Sequence, residues 1–100
     1  MAKEVVLSPL AIINYENIIN YLTVKWGTTV ANNFVERFQI VIELLSDDSN
    51  IYSFIDKNKK IQKCVVTKHN VLYFRKTKDI VKIITVFDTR QNPDKLKSII

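Results

Sequence analysis

The spacing of apolar residues changes once along this chain, and that change most constrains the fold. From Ile12 to Leu45 the apolar residues recur every three or four positions, which predicts amphipathic helices. From Gln62 onward they alternate with polar residues, which predicts β-strands. The polar run SDDSN at 46–50 separates the two regions. The sequence therefore predicts an α+β fold in which two helices precede most of the sheet.

The ends of the first helix are marked by local signals. Ser8 offers a capping hydroxyl, Pro9 suits the first helical position, and Gly27 is expected to end the helix. Thr28 or Thr29 is expected to cap a second helix, and so short a link predicts an antiparallel α-hairpin. The predicted buried positions are Ile12, Tyr15, Ile19, Leu22 and Trp26 in the first helix and Ala31, Phe34, Phe38, Val41 and Leu45 in the second. Asn14, Asn17 and Asn20 are expected to face away.

A short N-terminal strand, EVVLS at 4–8, is expected before the helices, and an antiparallel three-stranded meander after them. The meander strands are predicted at Gln62 to Thr67, Val71 to Lys76 and Ile80 to Phe87, with two-residue turns at His69-Asn70 and Lys78-Asp79. That register pairs Lys68 with Val71 and packs the helices on one face of the sheet. The face toward the helices would then carry Val65, Leu72, Phe74, Val81, Ile83 and Phe87, and the outer face Cys64, Val66, Lys68, Tyr73, Arg75, Lys82 and Ile84.

Length and composition favour one domain covering residues 1–100. The chain has one Gly and two Pro, and no stretch resembles a linker. No segment resembles a secretion signal or a membrane span, so a cytoplasmic protein is expected. The lone Cys64 cannot form an intramolecular disulfide and is interpreted as a core residue. No metal site or cofactor is expected.

The positive charge is concentrated in the second half of the chain. Residues 51–100 contain twelve basic and four acidic residues, whereas residues 1–50 contain three and six. A basic surface of this kind favours a polyanionic partner such as nucleic acid, with an acidic protein segment as the alternative.

Four stretches in this order give the chain a resemblance to a known family: VVLSPLA, WGTTVANNFVERF, KCVVTKHNVLYFRK and VFDTRQNP. Together they resemble the RelE/ParE superfamily of bacterial toxins, the toxin halves of type II toxin–antitoxin pairs. The resemblance implies helices packed on one side of an antiparallel sheet. It also implies a hetero-oligomer with a cognate antitoxin, which wraps the toxin with an extended or helical C-terminal segment.

Two activities occur in that superfamily. RelE-type toxins are metal-independent endoribonucleases that cut ribosome-bound mRNA, whereas ParE-type toxins inhibit DNA gyrase. RNA cleavage needs a base for the 2′-hydroxyl, cations for the phosphorane and an acid for the leaving oxygen. The candidate catalytic residues are Arg90, Lys63, Arg75, His69 and Tyr73, and the candidate nucleic-acid-binding residues are Lys59, Lys60, Lys68 and Lys82. Lys63 and Arg90 match family positions.

Two departures count against a standard nuclease site. Val71 stands where RelE-like nucleases commonly have arginine, and residues 91–100 contain no tyrosine. Arg75 is a hypothetical substitute for the missing charge. An mRNA-cleaving toxin, a gyrase-inhibiting toxin and a plain nucleic-acid-binding domain therefore all stay open.

Several of these residues also have structural interpretations. His69 fits an ordinary turn residue, Tyr73 a half-buried strand residue, and Arg90 an ion-pair partner of Asp88. An antitoxin segment is expected on the outer face, near the apolar side chains of Val66, Val71, Ile80 and Ile84. The tail from Pro93 to Ile100 is expected either to pack on the sheet or to be ordered by that partner.

Overall fold

The computed structural model describes residues 2–47 and 51–100. Its elements are β1 Glu4–Leu7, α1 Pro9–Trp26, α2 Thr28–Ser46, β2 Phe54–Asp56, β3 Ile61–Thr67, β4 Asn70–Lys76, β5 Ile80–Asp88 and α3 Pro93–Ile99. The predicted strand, helical hairpin and meander are confirmed, and β2 and α3 are additional. Residues 48–50 of the polar run that was expected to separate helices from strands lie outside the described residues.

The five strands form one sheet in the order β1-β5-β4-β3-β2. Strands β3, β4 and β5 form the predicted antiparallel meander. Strand β1 pairs with β5 in parallel, so the sheet is mixed rather than wholly antiparallel. The first strand of the chain therefore lies beside the last.

Helix α1 begins and ends at the predicted residues, and α2 follows it directly. Ser8 Oγ accepts a hydrogen bond from the Ala11 N–H at 3.0 Å and donates one to the Ile84 carbonyl at 2.6 Å, so the N-terminal cap also ties α1 to β5. Gly27 ends α1 with φ of 96°, a left-handed value that favours glycine. It also serves as the N-cap of α2, in place of the predicted threonine caps.

The buried face of α2 is the predicted one, whereas that of α1 is rotated. All five expected α2 residues are buried. On α1, Ala11 is buried and Ile18 packs beside Tyr15, Ile19 and Leu22. Ile12 and Trp26 are 46% and 62% exposed, so the prediction that they are core residues was wrong. Apolar residues lie on more than one side of α1, which made the stripe ambiguous.

Two β-bulges change the faces that a regular register would assign. One lies between Val65 and Thr67 on β3, and the other lies opposite Tyr73 and Phe74, within β5. A bulge adds one residue to one strand and reverses the faces beyond it. Cys64 and Val66 consequently pack on the helix side, Val65 is exposed, and Phe87 lies on the outer side, each contrary to prediction.

The two predicted turns have different outcomes. Thr67 pairs with Asn70, so the β3–β4 turn is Lys68-His69 and not His69-Asn70, and the predicted pairing of Lys68 with Val71 was wrong. The Thr77 N–H donates to the Ile80 carbonyl at 2.9 Å, which places the second turn at Lys78-Asp79 as predicted.

The β5 bulge is held by a side chain from α1. Asn14 Oδ1 accepts hydrogen bonds from Thr85 Oγ1 at 2.6 Å and from the Val86 N–H at 3.2 Å. Asn14 was predicted to face away from the sheet, and that prediction was wrong. A buried polar group without a partner is unfavourable, so Asn14 stabilises the irregular backbone at this point.

The outer face of the sheet is partly covered by α3. Leu96 and Ile100 pack against a small buried cluster, called here the outer cluster, formed by Ile61, Val71, Tyr73 and Phe87. Lys59 Nζ donates to the Ile100 carbonyl at 2.8 Å and fastens the end of the helix. The tail thus packs on the sheet. None of the described helices is long and apolar enough to cross a membrane.

Candidate functional site

Arg90 is held at the point where β5 leaves the sheet. Its Nε and Nη2 donate to the two carboxylate oxygens of Asp88 at 3.0 and 2.8 Å, and its backbone N–H donates to Asp88 Oδ1 at 2.9 Å. The hydrogen bond from Arg90 is the main reason that the pKa of Asp88 lies below its usual range, and the same bond raises the pKa of Arg90. The ion pair considered from the sequence is formed, and it favours the ionised form of Asp88.

The other side of the Arg90 guanidinium faces an aromatic ring. Arg90 Cζ lies 5.8 Å from the centroid of Tyr21, and Lys25 Nζ lies 5.6 Å from the same ring and 5.9 Å from Trp26. Contacts of cations with aromatic faces at such distances are attractive. They fix the position of Arg90 relative to α1.

A concave surface opens beside these residues at the tip of the helical hairpin. The cavity has a volume of about 480 Å³, and its lining includes Tyr21, Trp26, Val30, Phe34, His69 and Arg90. We call it the tip pocket. His69 reaches it because the Thr89 N–H donates to the His69 carbonyl at 2.8 Å, which ties the β3–β4 turn to the segment after β5. His69 and Arg90 are thus brought to the same site.

A second cavity of about 530 Å³ lies on the other side of Arg90 and Tyr21 and contains mostly polar side chains. Asn14, Asn17 and Gln91 contribute to it. Tyr21, Leu22, Asn70 and Arg90 border both cavities, and the exposed side chains of Tyr21 and Arg90 form a ridge between an amide-rich and a more apolar hollow.

Tyr73 lies away from both cavities. It is 8% exposed and its ring meets that of Phe87 edge to face, with centroids 6.5 Å apart. Burial raises the pKa of its phenol, because the phenolate would be poorly solvated there. This position beneath α3 favours the structural interpretation of Tyr73.

Arg75 and Lys82 lie at the opposite end of the outer face. They are directly paired across β4 and β5, both are exposed, and both line a hollow of about 320 Å³ with Leu10 and Ile84. Within residues 2–47 and 51–100, no acidic side chain forms an ion pair with either. Like charges placed opposite each other destabilise a sheet, so this pair lowers stability and concentrates positive charge at this end.

The other predicted cations are spread along the β3 side. Lys63 is exposed opposite Tyr73, and Lys68 is exposed in the turn beside His69. Lys59 and Lys60 belong to the turn between β2 and β3. Two side chains expected to receive an antitoxin are not open, since Val66 packs with the helices and Val71 belongs to the outer cluster.

The predicted catalytic residues therefore do not meet at one point. Asn70, beside His69, and Arg75 are five residues apart on β4, a distance of about 17 Å at the rise of an extended strand. Tyr73 lies between them under α3. Among the described residues, no group of three or more His, Cys, Asp or Glu side chains is arranged to hold a metal ion.

Sequence reasoning missed the aromatic half of the tip pocket. Trp26 was interpreted as core, and Tyr21 was not singled out, because neither its spacing nor its neighbours suggest a role. The available signal was the position of Trp26 directly before Gly27, where a helix ends and its last side chain can project from the body of the protein.

The fold has a counterpart among solved structures. A chain of the chromosomal ParDE TA system from P. aeruginosa superimposes with a TM-score of 0.72 at 12% sequence identity, over 87% of this chain and 96% of that chain. At that identity the likeness shows the fold alone. No curated protein matches the sequence. The profile of the family described as "ParE toxin of type II toxin-antitoxin system, parDE" matches residues 5–93. The chain therefore belongs to the ParE toxin family of type II toxin–antitoxin systems.

Proposed function

We propose that this toxin inhibits growth by binding DNA gyrase and that a cognate antitoxin neutralises it in a hetero-oligomer. The observation that carries the proposal is the separation of the candidate catalytic groups. His69 and Arg90 are at one end of the sheet, Arg75 and Lys82 at the other, and Tyr73 is buried between them.

A nuclease needs its base, its acid and its cations within hydrogen-bond reach of one phosphodiester. The separation of about 17 Å along β4 exceeds that reach several times over. Arg90 is also engaged by Asp88 and Tyr21. A toxin that acts by binding needs only an accessible complementary surface, and the exposed Trp, Tyr and Arg side chains at the hairpin tip are of the types that dominate protein interfaces.

The endoribonuclease remains the second candidate, and one observation favours it. Lys63, Arg75 and Lys82 are exposed on the outer face, and the last two form a cationic pair without an acidic partner among the described residues. Such a pair suits a phosphate. Family membership supports both toxin hypotheses over the plain nucleic-acid-binding domain.

The test compares inducible expression of the wild type, Arg90→Ala and a control, Lys78→Ala, in the exposed β4–β5 turn. We expect the wild type and Lys78→Ala to block plasmid supercoiling and stop growth while transcripts stay intact. Arg90→Ala should weaken both effects, because the ridge beside Tyr21 is lost. Mapping of transcript 5′ ends provides the alternative readout: new cleavage ends with normal supercoiling would contradict gyrase inhibition and support mRNA cleavage.

The antitoxin is tested in the same strains. We expect a small reading frame next to the toxin gene, and its co-expression should restore growth and yield a complex that purifies as one species. Continued arrest in the presence of that product would contradict the proposed pairing.

A further inference from the structure

The tip pocket combines exposed apolar surface with a concave shape. Trp26, Tyr21 and Val30 are 62%, 43% and 39% exposed and lie around one hollow of about 480 Å³. Single exposed apolar residues are common on protein surfaces, but a contiguous group around a hollow marks a binding surface. A volume of this size accommodates one or two large side chains of a partner.

The surface is already ordered in the free chain. Gly27 links the helices directly, and its N–H donates to the Leu22 and Thr23 carbonyls at 3.1 Å, which fixes the end of α1 beneath Trp26. Asp88 holds Arg90 through two side-chain bonds. Because little has to be ordered on binding, more of the contact energy is available for affinity.

Basic side chains outnumber acidic ones around the tip pocket. Arg90 lines it, Lys25 contacts two of its aromatic rings, and Lys68 lies in the turn next to the lining residue His69. None of the described residues that line the pocket is acidic, and the nearby Asp88 is already bound to Arg90. The complementary partner is an acidic segment that carries a large apolar side chain.

We infer that the tip pocket is the surface by which this toxin holds gyrase: an acidic segment of gyrase inserts an aromatic or aliphatic side chain between Trp26 and Phe34 and places a carboxylate near Lys25 and Lys68. This inference rests on the proposed function. The antitoxin is the less suitable occupant. A segment that wraps the toxin needs an extended groove along its surface, whereas the tip pocket is one compact hollow. A target, in addition, has to be recognised by the free toxin, in which this pocket is already formed.

The test uses full-length toxin made by cell-free synthesis and purified gyrase in a supercoiling assay. Trp26→Ala removes the largest exposed ring of the tip pocket and should raise the toxin concentration for half-maximal inhibition by about tenfold or more. Val24→Ala is the matched control, because Val24 is 90% exposed on the same helix end but does not line the pocket. Both positions are on the surface, so circular dichroism should show wild-type folding.

Salt dependence and antitoxin binding complete the experiment. Inhibition should weaken as ionic strength rises, because charge complementarity is screened. Affinity for the antitoxin encoded beside the toxin should change by less than about twofold in Trp26→Ala, the size of effect typical outside hot spots.

The outcomes separate the inference from the function on which it rests. Equal inhibition by Trp26→Ala and the wild type would overturn the location of the gyrase surface while leaving gyrase inhibition intact. An equal loss of gyrase and antitoxin binding would assign the pocket to the antitoxin and overturn the inference. A wild-type toxin that does not inhibit purified gyrase would contradict the proposed function itself.

Discussion

The two faces of the sheet are buried in different ways. On the helix side, α1 and α2 cover a continuous core in which Leu72, Phe74, Val81 and Ile83 are fully buried. On the outer side, the outer cluster is the only buried group among the residues that the structure describes, and its cover is the seven-residue α3. The helix side is closed by two helices of 18 and 19 residues.

The difference shows which part of the molecule specifies the fold. The helix side is reinforced by a trio of aromatic rings, Tyr15, Phe34 and Phe38, with centroids 4.5 to 6.0 Å apart. The outer cluster depends on Leu96, Ile84 and Ile100, which are themselves only partly buried. Regions with few buried contacts open at lower free-energy cost than the global core. The helix side should therefore govern global stability, and the outer side local opening.

The largest expected effect is on the helix side. Phe74→Ala should lower the free energy of unfolding by about 3–5 kcal/mol, because it leaves a cavity at a fully buried position. Val65→Ala, at a side chain 59% exposed on the neighbouring strand, is the control and should change it by less than about 0.5 kcal/mol. Denaturant unfolding measures both free energies. Similar losses of stability in the two variants would contradict the conclusion that the helix side governs global stability.

An intermediate effect is expected at the β5 bulge. Asn14→Ala removes the acceptor for Thr85 Oγ1 and the Val86 N–H, and should cost about 1–3 kcal/mol because these buried groups lose their partner. Asn17→Ala, at an exposed position one turn further along the same helix, is the control. Thermal unfolding of the two variants checks this, and an unchanged midpoint for Asn14→Ala would mean that the bulge needs no support from α1.

The smallest effect is expected on the outer side. Leu96→Ala should cost about 1 kcal/mol, since Leu96 is only partly buried. It should also hydrate Tyr73 and return the pKa of its phenol toward the ordinary value, because burial is what raises it. Lys95→Ala, exposed on the same helix, should do neither.

The sign of the accompanying pH effect follows from the raised pKa of Tyr73. Above the ordinary tyrosine value of about 10, the unfolded chain loses this proton before the folded chain does, so stability falls as pH rises. Leu96→Ala should make that alkaline decline shallower. An ultraviolet titration of the wild type and Leu96→Ala measures the pKa, and Tyr73→Phe separates it from Tyr15 and Tyr52, whose pKa values burial also raises. An unchanged pKa of Tyr73 in Leu96→Ala would show that α3 is not what shields the outer cluster from water.

The sequence was most informative where one pattern left no alternative. Along α2 the apolar residues follow a single stripe, and all five predicted positions are buried. Along α1, isoleucines lie on several sides, so periodicity could not choose among stripes and Trp26 was placed in the core. The end of that helix was nevertheless correct, because Gly27 is a local signal that does not depend on packing.

The faces of the sheet could not be obtained from alternation alone. A bulge is one extra residue whose position depends on contacts with other elements, as with Asn14 and Thr85, and everything beyond it changes sides. Val65, Val66 and Phe87 were misassigned for this reason. The candidate site shared the difficulty: the ion pair of Arg90 with Asp88, offered by the sequence as a structural interpretation, is formed, but Tyr21 joins it only through the packing of α1 against β5.

The parallel pairing of β1 with β5 has a consequence for the timing of folding during synthesis. Glu4 and Leu7 at the start of the chain find their neighbours, Ile80 and Ile83, among the last residues of the sheet to be translated. Contacts so distant in sequence form late, since the intervening chain has to be present before they can close. A nascent toxin can therefore complete its sheet only after β5 has emerged from the ribosome, and premature termination within β5 would release a chain without its finished sheet.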